Sequence, residues 1–254
     1  MYILAIETTG LHCSAAVIDA DGKVTEETSA DTLNHLQTLT TMIGEVTAKA
    51  GIELKDLNAI AVSEGPGSFT GIRIGVSTAR GISQVLGTKL ISVPTLQAFG
   101  MNEWAELEKE MGSEEAGKTL VCPLLDARRH QVYANGCMDG KEAVTGGPYM
   151  LDEFLGMLEN YDRIFFVGDG VNTYGDAIKA WGEENGKDVR MNERCQRASG
   201  VARLGRALYD KGEFKTYNEL TPNYMRKAEA ERKLDAKKAA AAKAEGAKTE
   251  EVGK

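Results

Sequence analysis

The sequence predicts an α/β fold made of two strand-rich halves, and three observations carry that prediction. Short runs of branched and apolar residues alternate with amphipathic helical stretches as far as residue 225. Two apolar runs, "LNAIAVSEG" and "DRIFFVGDG", each lead through a glycine turn into a helix. The chain has 254 residues, 42% of them hydrophobic, enough to bury a sizeable core as one large domain or two small ones.

The elements follow in order. "YILAIETT" is strand-like; with Glu7 and no basic segment before it, it reads as a first strand and not as a signal peptide. "CSAAVIDADGKVTEET" is a hairpin about an Asp-Gly turn. Leu33, Leu36, Leu39, Ile43, Val46 and Ala50 recur at three- and four-residue steps, which predicts a helix with Asp31 as N-cap and Gly51 as stop. "LNAIAVSEG" is a strand, a second helix ends near Gly87, and "KLISVPT" is a strand. The order strand, strand, strand, helix, strand, helix, strand is the ribonuclease H-like pattern.

The second half repeats the theme. "TLVCPLLDARRHQVYANGCMDG" reads as two strands around a basic turn, and "LDEFLGMLE" as a short helix. "DRIFFVGDGVNTYGDAIKA" is a strand, a glycine turn and a helix; "ASGVARLGRALYDKG" is a final helix with Val201, Leu204, Ala207 and Leu208 on one side. The recurrence suggests a duplication, although no residue-level repeat is visible. The expected division is residues 1–98, a first lobe; 99–225, a second, smaller lobe whose final helix returns to the first; and 226–254, an Ala/Lys/Glu tail. That tail has almost no apolar face and is expected to be mobile.

Charge and composition exclude several classes. Up to residue 225 there are 21 Lys and Arg against 32 Asp and Glu, a net −11, while the tail is +3. So acidic a body argues against a broad nucleic-acid surface. The four cysteines form no Cys-x-x-Cys pair, which suggests reduced structural thiols and a cytoplasmic protein. His12, His35 and His130 form no His-x-x-x-His pair, and no apolar run approaches the roughly 20 residues that span a bilayer. No metal site, catalytic residue or membrane partner is expected.

The most informative stretch is "SEGPGSFTGIRIGVSTARG", residues 63–81. Gly65, Gly67 and Gly71 give G-x-G-x-x-x-G, with the third glycine one residue too late for a dinucleotide fingerprint; Ile72 stands where a P-loop needs lysine. Two readings of the loop stand: an anion held by free N–H groups at a helix N-terminus, or a tight turn capped by Ser68 or Thr70. Along the helix, Gly71, Gly75, Ala79 and Ser83 make a stripe of small residues at four-residue spacing. A helical glycine costs about 1 kcal/mol relative to alanine, so a neighbour must come close on that line. That neighbour is either the chain's own sheet or a partner's helix.

Acids at strand ends allow a competing enzyme reading. Glu7 and Glu64 end strands, with Glu45 on the first helix, and such a cluster could hold Mg²⁺. Glu7, Thr8, Gly65, Gly67, Ser68, Gly168 and Gly170 are the candidate residual nucleotide or anion contacts. In "DARRHQVYA", Asp126 reads as a partner that fixes a turn and His130 as a surface histidine.

Taken together, "ILAIETT", "SEGPGSFTGIRIGVSTARGISQVLG", "SVPTLQA", "DARRHQVYA" and "PNYMR" resemble the TsaB family, in order from about residue 1 to 226. The resemblance implies the actin-like ATPase superfamily fold, two ribonuclease H-like lobes with mixed sheets flanked by helices. It implies a scaffold subunit for threonylcarbamoyladenosine formation in tRNA, beside a TsaD-like catalytic subunit and a TsaE-like ATPase. Self-association is also implied, and tRNA is met mainly through the complex. In TsaD a His-x-x-x-His pair holds a metal; here His35 has no second histidine four residues on. No cofactor of its own is therefore expected, ATP and a metal ion being used by the partners. The resemblance places the pairing surface on the first lobe's two helices, at Leu36, Leu39, Ile43, Ile72, Val76 and Arg80, with Gly71 and Gly75 as the close-approach stripe. The alternatives are an actin-like ATPase or small-molecule kinase, and more remotely a metallopeptidase.

Overall fold

In the computed structural model, which describes residues 1–32 and 34–225, each half of the chain builds one five-stranded mixed sheet. Met1–Asn223 form one compact unit; the segment 226–254 and Leu33 lie outside the described residues, and with them the expectations made for the tail and for Leu33.

The first lobe runs β1 (Ile3–Glu7), β2 (His12–Ile18), β3 (Val24–Thr32), α1 (His35–Lys49), β4 (Ala59–Gly65), α2 (Phe69–Leu86) and β5 (Lys89–Pro94). Its sheet has the order β3-β2-β1-β4-β5, with β1, β4 and β5 parallel and the β2–β3 hairpin antiparallel. All of β1 is buried: Leu4 and Ile6 face the α1/α2 side, Ile3 and Ala5 the opposite side. Covering both faces is why β1 and β4 read as unbroken apolar runs instead of alternating ones.

The second lobe repeats this topology after α3 (Thr95–Met111) and a single turn, α4 (Ser113–Ala116). It runs β6 (Leu120–Asp126), β7 (Gln131–Met138), β8 (Lys141–Met150), α5 (Leu151–Gly156), β9 (Arg163–Val167), α6 (Gly170–Glu184) and β10 (Asp188–Asn192), in the order β10-β9-β6-β7-β8. Of these, α3, β8 and β10 are absent from the reading of the sequence. The two long helices that follow the sheets are exchanged: α3 covers β6, β7 and β8 of the second lobe, and α7 (Ala198–Asp210) returns to cover β1, β2, β4 and β5 of the first. The N-terminus of α7 is seated there by Ala198 N donating to Ser14 Oγ (2.8 Å) and Ser199 N donating to Glu26 Oε1 (2.8 Å). A carboxylate at a helix N-terminus also complements the dipole.

Two expectations are corrected. The lobe boundary at 98/99 cuts through α3, which belongs to both lobes' packing. Asp31 lies in β3, which runs on to Thr32, and the cap position of α1 falls on Asn34. Gly51 and Gly87 end their helices with positive φ (72° and 69°), as the sequence predicts, and of the two expected caps it is Ser68 that caps α2, accepting from Gly71 N at 3.2 Å.

Candidate functional site

The candidate nucleotide contacts of the first lobe converge, but on each other. Glu7 ends β1 and is 1% exposed. One oxygen accepts from Thr9 N and Thr9 Oγ1, both at 2.6 Å, and the other accepts from Ser63 Oγ on the neighbouring strand. Burial pushes the Glu7 carboxyl above its ordinary value, and the Ser63 and Thr9 hydrogen bonds partly oppose that rise.

The glycine loop then closes over the next two residues. Ser68 N donates to Thr9 O (2.7 Å), and Thr8 Oγ1 donates to Gly71 O (2.7 Å). A Cβ at Gly71 would lie 1.9 Å from Thr8 O, one at Gly67 2.5 Å from Thr9 O, and one at Gly75 2.4 Å from Thr8 Oγ1. Thr8 and Thr9 thus fill the gap between the glycine loop and the end of β1. The Ser68 cap is what the tight-turn reading of the loop expects. His35, in the first turn of α1, closes the same corner, its Nε2 donating to Gly10 O at 3.0 Å.

The three acids weighed as a metal cluster do not meet. Strand alternation puts Ser63, not Glu64, beside Glu7. Glu64 turns to Ser92 and to Asn223, whose Nδ2 donates to it at 3.3 Å, while Glu45 is exposed on α1. Among the described residues, no group of three or more His, Cys, Asp or Glu side chains is placed to hold a metal ion.

Gly168 and Gly170 repeat the device in the second lobe. A Cβ there would lie 2.4 and 2.8 Å from Leu124 O, so this glycine turn also closes on the end of the adjacent strand. The acids nearby remain more open. Asp126 N donates to Asp169 Oδ1 (3.0 Å), and Asp126 Oδ1 accepts from Arg128 N (2.7 Å) and from Tyr174 OH (3.2 Å). Burial and the neighbouring Asp126 charge both push the Asp169 carboxyl up, and backbone N–H groups oppose them. Above Asp126, Arg128, Arg129 and His130 hold φ of 63°, 58° and 59° in succession. Each left-handed non-glycine residue costs about 1–2 kcal/mol. The hydrogen bonds that hold the turn are Arg128 N to Asp126, Ala127 N to Gln131 O (3.0 Å) and Leu151 N to His130 O (3.1 Å).

The expected pairing residues divide between the two faces of their helices. Leu39, Ile43, Ile72 and Val76 are at most 3% exposed and pack against the chain's own sheet, as do Gly71 and Gly75. These six are corrected: the most apolar stripe of each helix is consumed by the first lobe's core. Leu36 is exposed (75%) and Arg80 half-buried, so they remain on the outside. With Leu36 on the outer side of α1 are Thr40, Thr41, Gly44, Glu45 and Ala48; on α2 the exposed residues include Arg73, Ser77, Gly81, Gln84 and Val85. A Cβ at Gly44 or Gly81 would meet nothing within 4 Å. Gly44 and Gly81 lie outside the four-residue register of Gly71, and their signal in the sequence is a helical glycine off the buried stripe.

Comparison with known proteins places this architecture. A family model described as "TsaD: tRNA N6-adenosine threonylcarbamoyltransferase" matches residues 26–233. The tRNA threonylcarbamoyladenosine biosynthesis protein TsaB of Escherichia coli (strain K12) is 29% identical over 249 residues, 93% of this chain and all of that protein. Its namesake from Bacillus subtilis (strain 168) is 29% identical over 240 residues, 92% of this chain and 97% of that protein. Two solved structures share the fold: YeaZ from Pseudomonas aeruginosa (TM-score 0.68, 23% identity, 88% of this chain and 99% of that one), and an uncharacterized protein with similarity to peptidase YeaZ from the same organism (TM-score 0.70, 22% identity, 89% and 99%). The two-lobed architecture is shared with these two structures, and the chain belongs to the TsaB family.

Proposed function

We propose that this chain is a non-catalytic subunit that pairs with a TsaD-like catalytic subunit through the outer face of α1 and α2. In the assembly with a TsaE-like ATPase it supports threonylcarbamoyl transfer to the adenosine beside the tRNA anticodon. The observation that carries the pairing is the pair of helical glycines that touch nothing. Gly44 and Gly81 each sit in a helix at a cost of about 1 kcal/mol, and no close approach among the described residues offsets it. A second helix laid against small residues gains the packing that a single chain leaves unused. Leu36 and Val85, 75% and 84% exposed, are the large apolar side chains nearest that face in sequence.

The closed glycine loop supports a subunit without its own nucleotide site, because bound phosphates would have to displace Thr8 and Thr9. On this reading ATP and the metal ion belong to the partners, tRNA is met through the complex, and the protein works in the cytoplasm. The same outer face serves a second copy of the chain when the partner is absent.

The test is pairing measured by isothermal titration with a TsaD-like subunit. Gly44→Leu and Gly81→Leu should each weaken it at least tenfold while the melting temperature does not fall. Wild-type affinity in both folded variants would remove α1 and α2 from the interface. Titrating the isolated chain with ATP and Mg²⁺ should give no binding; tight binding with turnover would instead favour the kinase-like alternative.

A further inference from the structure

The β6–β7 turn is held in a high-energy backbone conformation, and it presents cations that the described residues do not pair. Arg128, Arg129 and His130 are exposed and left-handed in succession. Neither the Arg128 nor the Arg129 guanidinium has an ion-pair or hydrogen-bond partner among the described residues. By contrast Arg163, Arg194, Arg197, Arg203 and Arg206 all pair with carboxylates. Two acids lie beneath the turn, and among the described residues their hydrogen bonds go to its backbone and to hydroxyl groups, not to a guanidinium. Asp126 accepts from Arg128 N and Tyr174 OH, and Asp169 accepts from Asp126 N. The His130 ring lies 6.4 Å from that of Tyr174, which further fixes the turn.

We propose that Arg128 and Arg129 form a preorganised contact for the phosphodiester backbone of tRNA, made as the RNA lies across the second lobe. This rests on the tRNA-modification reading given above. Two guanidinium forks on adjacent residues suit phosphate oxygens, which they meet bidentately. A turn already fixed in shape loses little freedom on binding. The body is otherwise acidic, net −11 to residue 225, so RNA that touches it needs a local cationic foothold instead of a broad patch. Contacts of this kind position the nucleic acid and do not read its sequence.

The experiment measures binding of an unmodified tRNA transcript by fluorescence anisotropy between about 50 and 200 mM salt, where counterion release makes phosphate contacts visible as a slope. It uses the full chain alone and mixed with its TsaD-like partner. Each phosphate contact contributes roughly 0.7–0.9 to the salt slope, so Arg128→Gln/Arg129→Gln should flatten the slope by about 1.5. Its affinity deficit should then be about tenfold larger at the low salt than at the high. The Lys/Lys variant should recover most of the slope, and pairing with the partner should be unchanged. An unaltered slope and affinity in the Gln/Gln variant overturns the proposal, as does a wild-type mixture that binds no tRNA. Loss of partner pairing with tRNA binding intact also overturns it, and assigns the turn to an acidic protein surface. Failure of the wild-type chain to pair at all counts against the subunit reading, and the chain-alone titration still decides the turn.

Discussion

The two lobes share one topology and one backbone device, and differ in what they leave open. In each, a glycine turn after a parallel strand presses against a carbonyl at the end of the adjacent strand: Gly71 on Thr8 O, Gly168 and Gly170 on Leu124 O. In the first lobe the strand-end acid is sealed. Glu7 is 1% exposed and its hydrogen bonds go to Ser63 and Thr9. In the second lobe the equivalent acid, Asp126, is half-buried and supports an exposed basic turn. The outer layers differ too. The first lobe carries two long helices with outward glycines, whereas the second has the six-residue α5 beside α6. One repeated topology thus leaves outward glycines on the two helices of one lobe and a charged turn on the other.

The glycine device should break hardest in the first lobe. Gly71→Ala puts a methyl group against a backbone carbonyl that cannot swing away, and a loss of about 3 kcal/mol or more is expected in urea denaturation. Gly170→Ala, with its closest atom at 2.8 Å, should cost about 1–2 kcal/mol. Equal losses would mean that the two turns are equally tight.

Removing the strand-end acid should separate the lobes next. Glu7→Ala leaves the Thr9 N–H and the Thr9 and Ser63 hydroxyls without their acceptor in a buried place, at about 2–4 kcal/mol. Asp126→Ala, at a half-buried site, should cost about 1 kcal/mol. The pH dependence follows from the raised Glu7 carboxyl. Because the folded state binds that proton more tightly than the unfolded state does, Glu7 favours folding most at low pH. Its contribution falls as pH rises from about 4.5 through the raised folded value, then levels off. Glu103 and Asp169, also raised by burial, act with the same sign. Glu7→Gln should flatten the fall, measured as stability against pH from 4.5 upward; an unchanged profile would mean that Glu7 does not titrate in this window.

The smallest expected effect is a gain. Gly81→Ala adds a methyl group facing open space within α2 and should stabilise by up to about 1 kcal/mol, raising the melting temperature. A loss would mean that the outer face of α2 is already covered within the chain.

Much of the fold was legible because local signals agreed with tertiary demand. The first seven elements appear in the order that periodicity and turn chemistry predict, and the buried strands announce themselves as unbroken apolar runs. The helix α3 was not legible: its buried residues include Thr95, Asn102 and Glu103, and Glu103 becomes tolerable inside only beside Arg194, 91 positions away. The site was legible as a location and not as a set of faces. Spacing placed Leu39, Ile43, Ile72 and Val76 on common stripes, but spacing is blind to which stripe a sheet will cover.

By itself the sequence determined the order of the first seven elements, the recurring strand–turn–helix unit, a cap at Ser68 or Thr70, and the family, because each is written in residues close together along the chain. Tertiary structure decided the rest: that the glycine loop closes on Thr8 and Thr9, that α3 and α7 exchange lobes, and that Gly44 and Gly81 face outward. The physical reason is that close packing is a property of two surfaces. A glycine declares only that something can come near; what comes near is chosen by strands and helices distant in sequence.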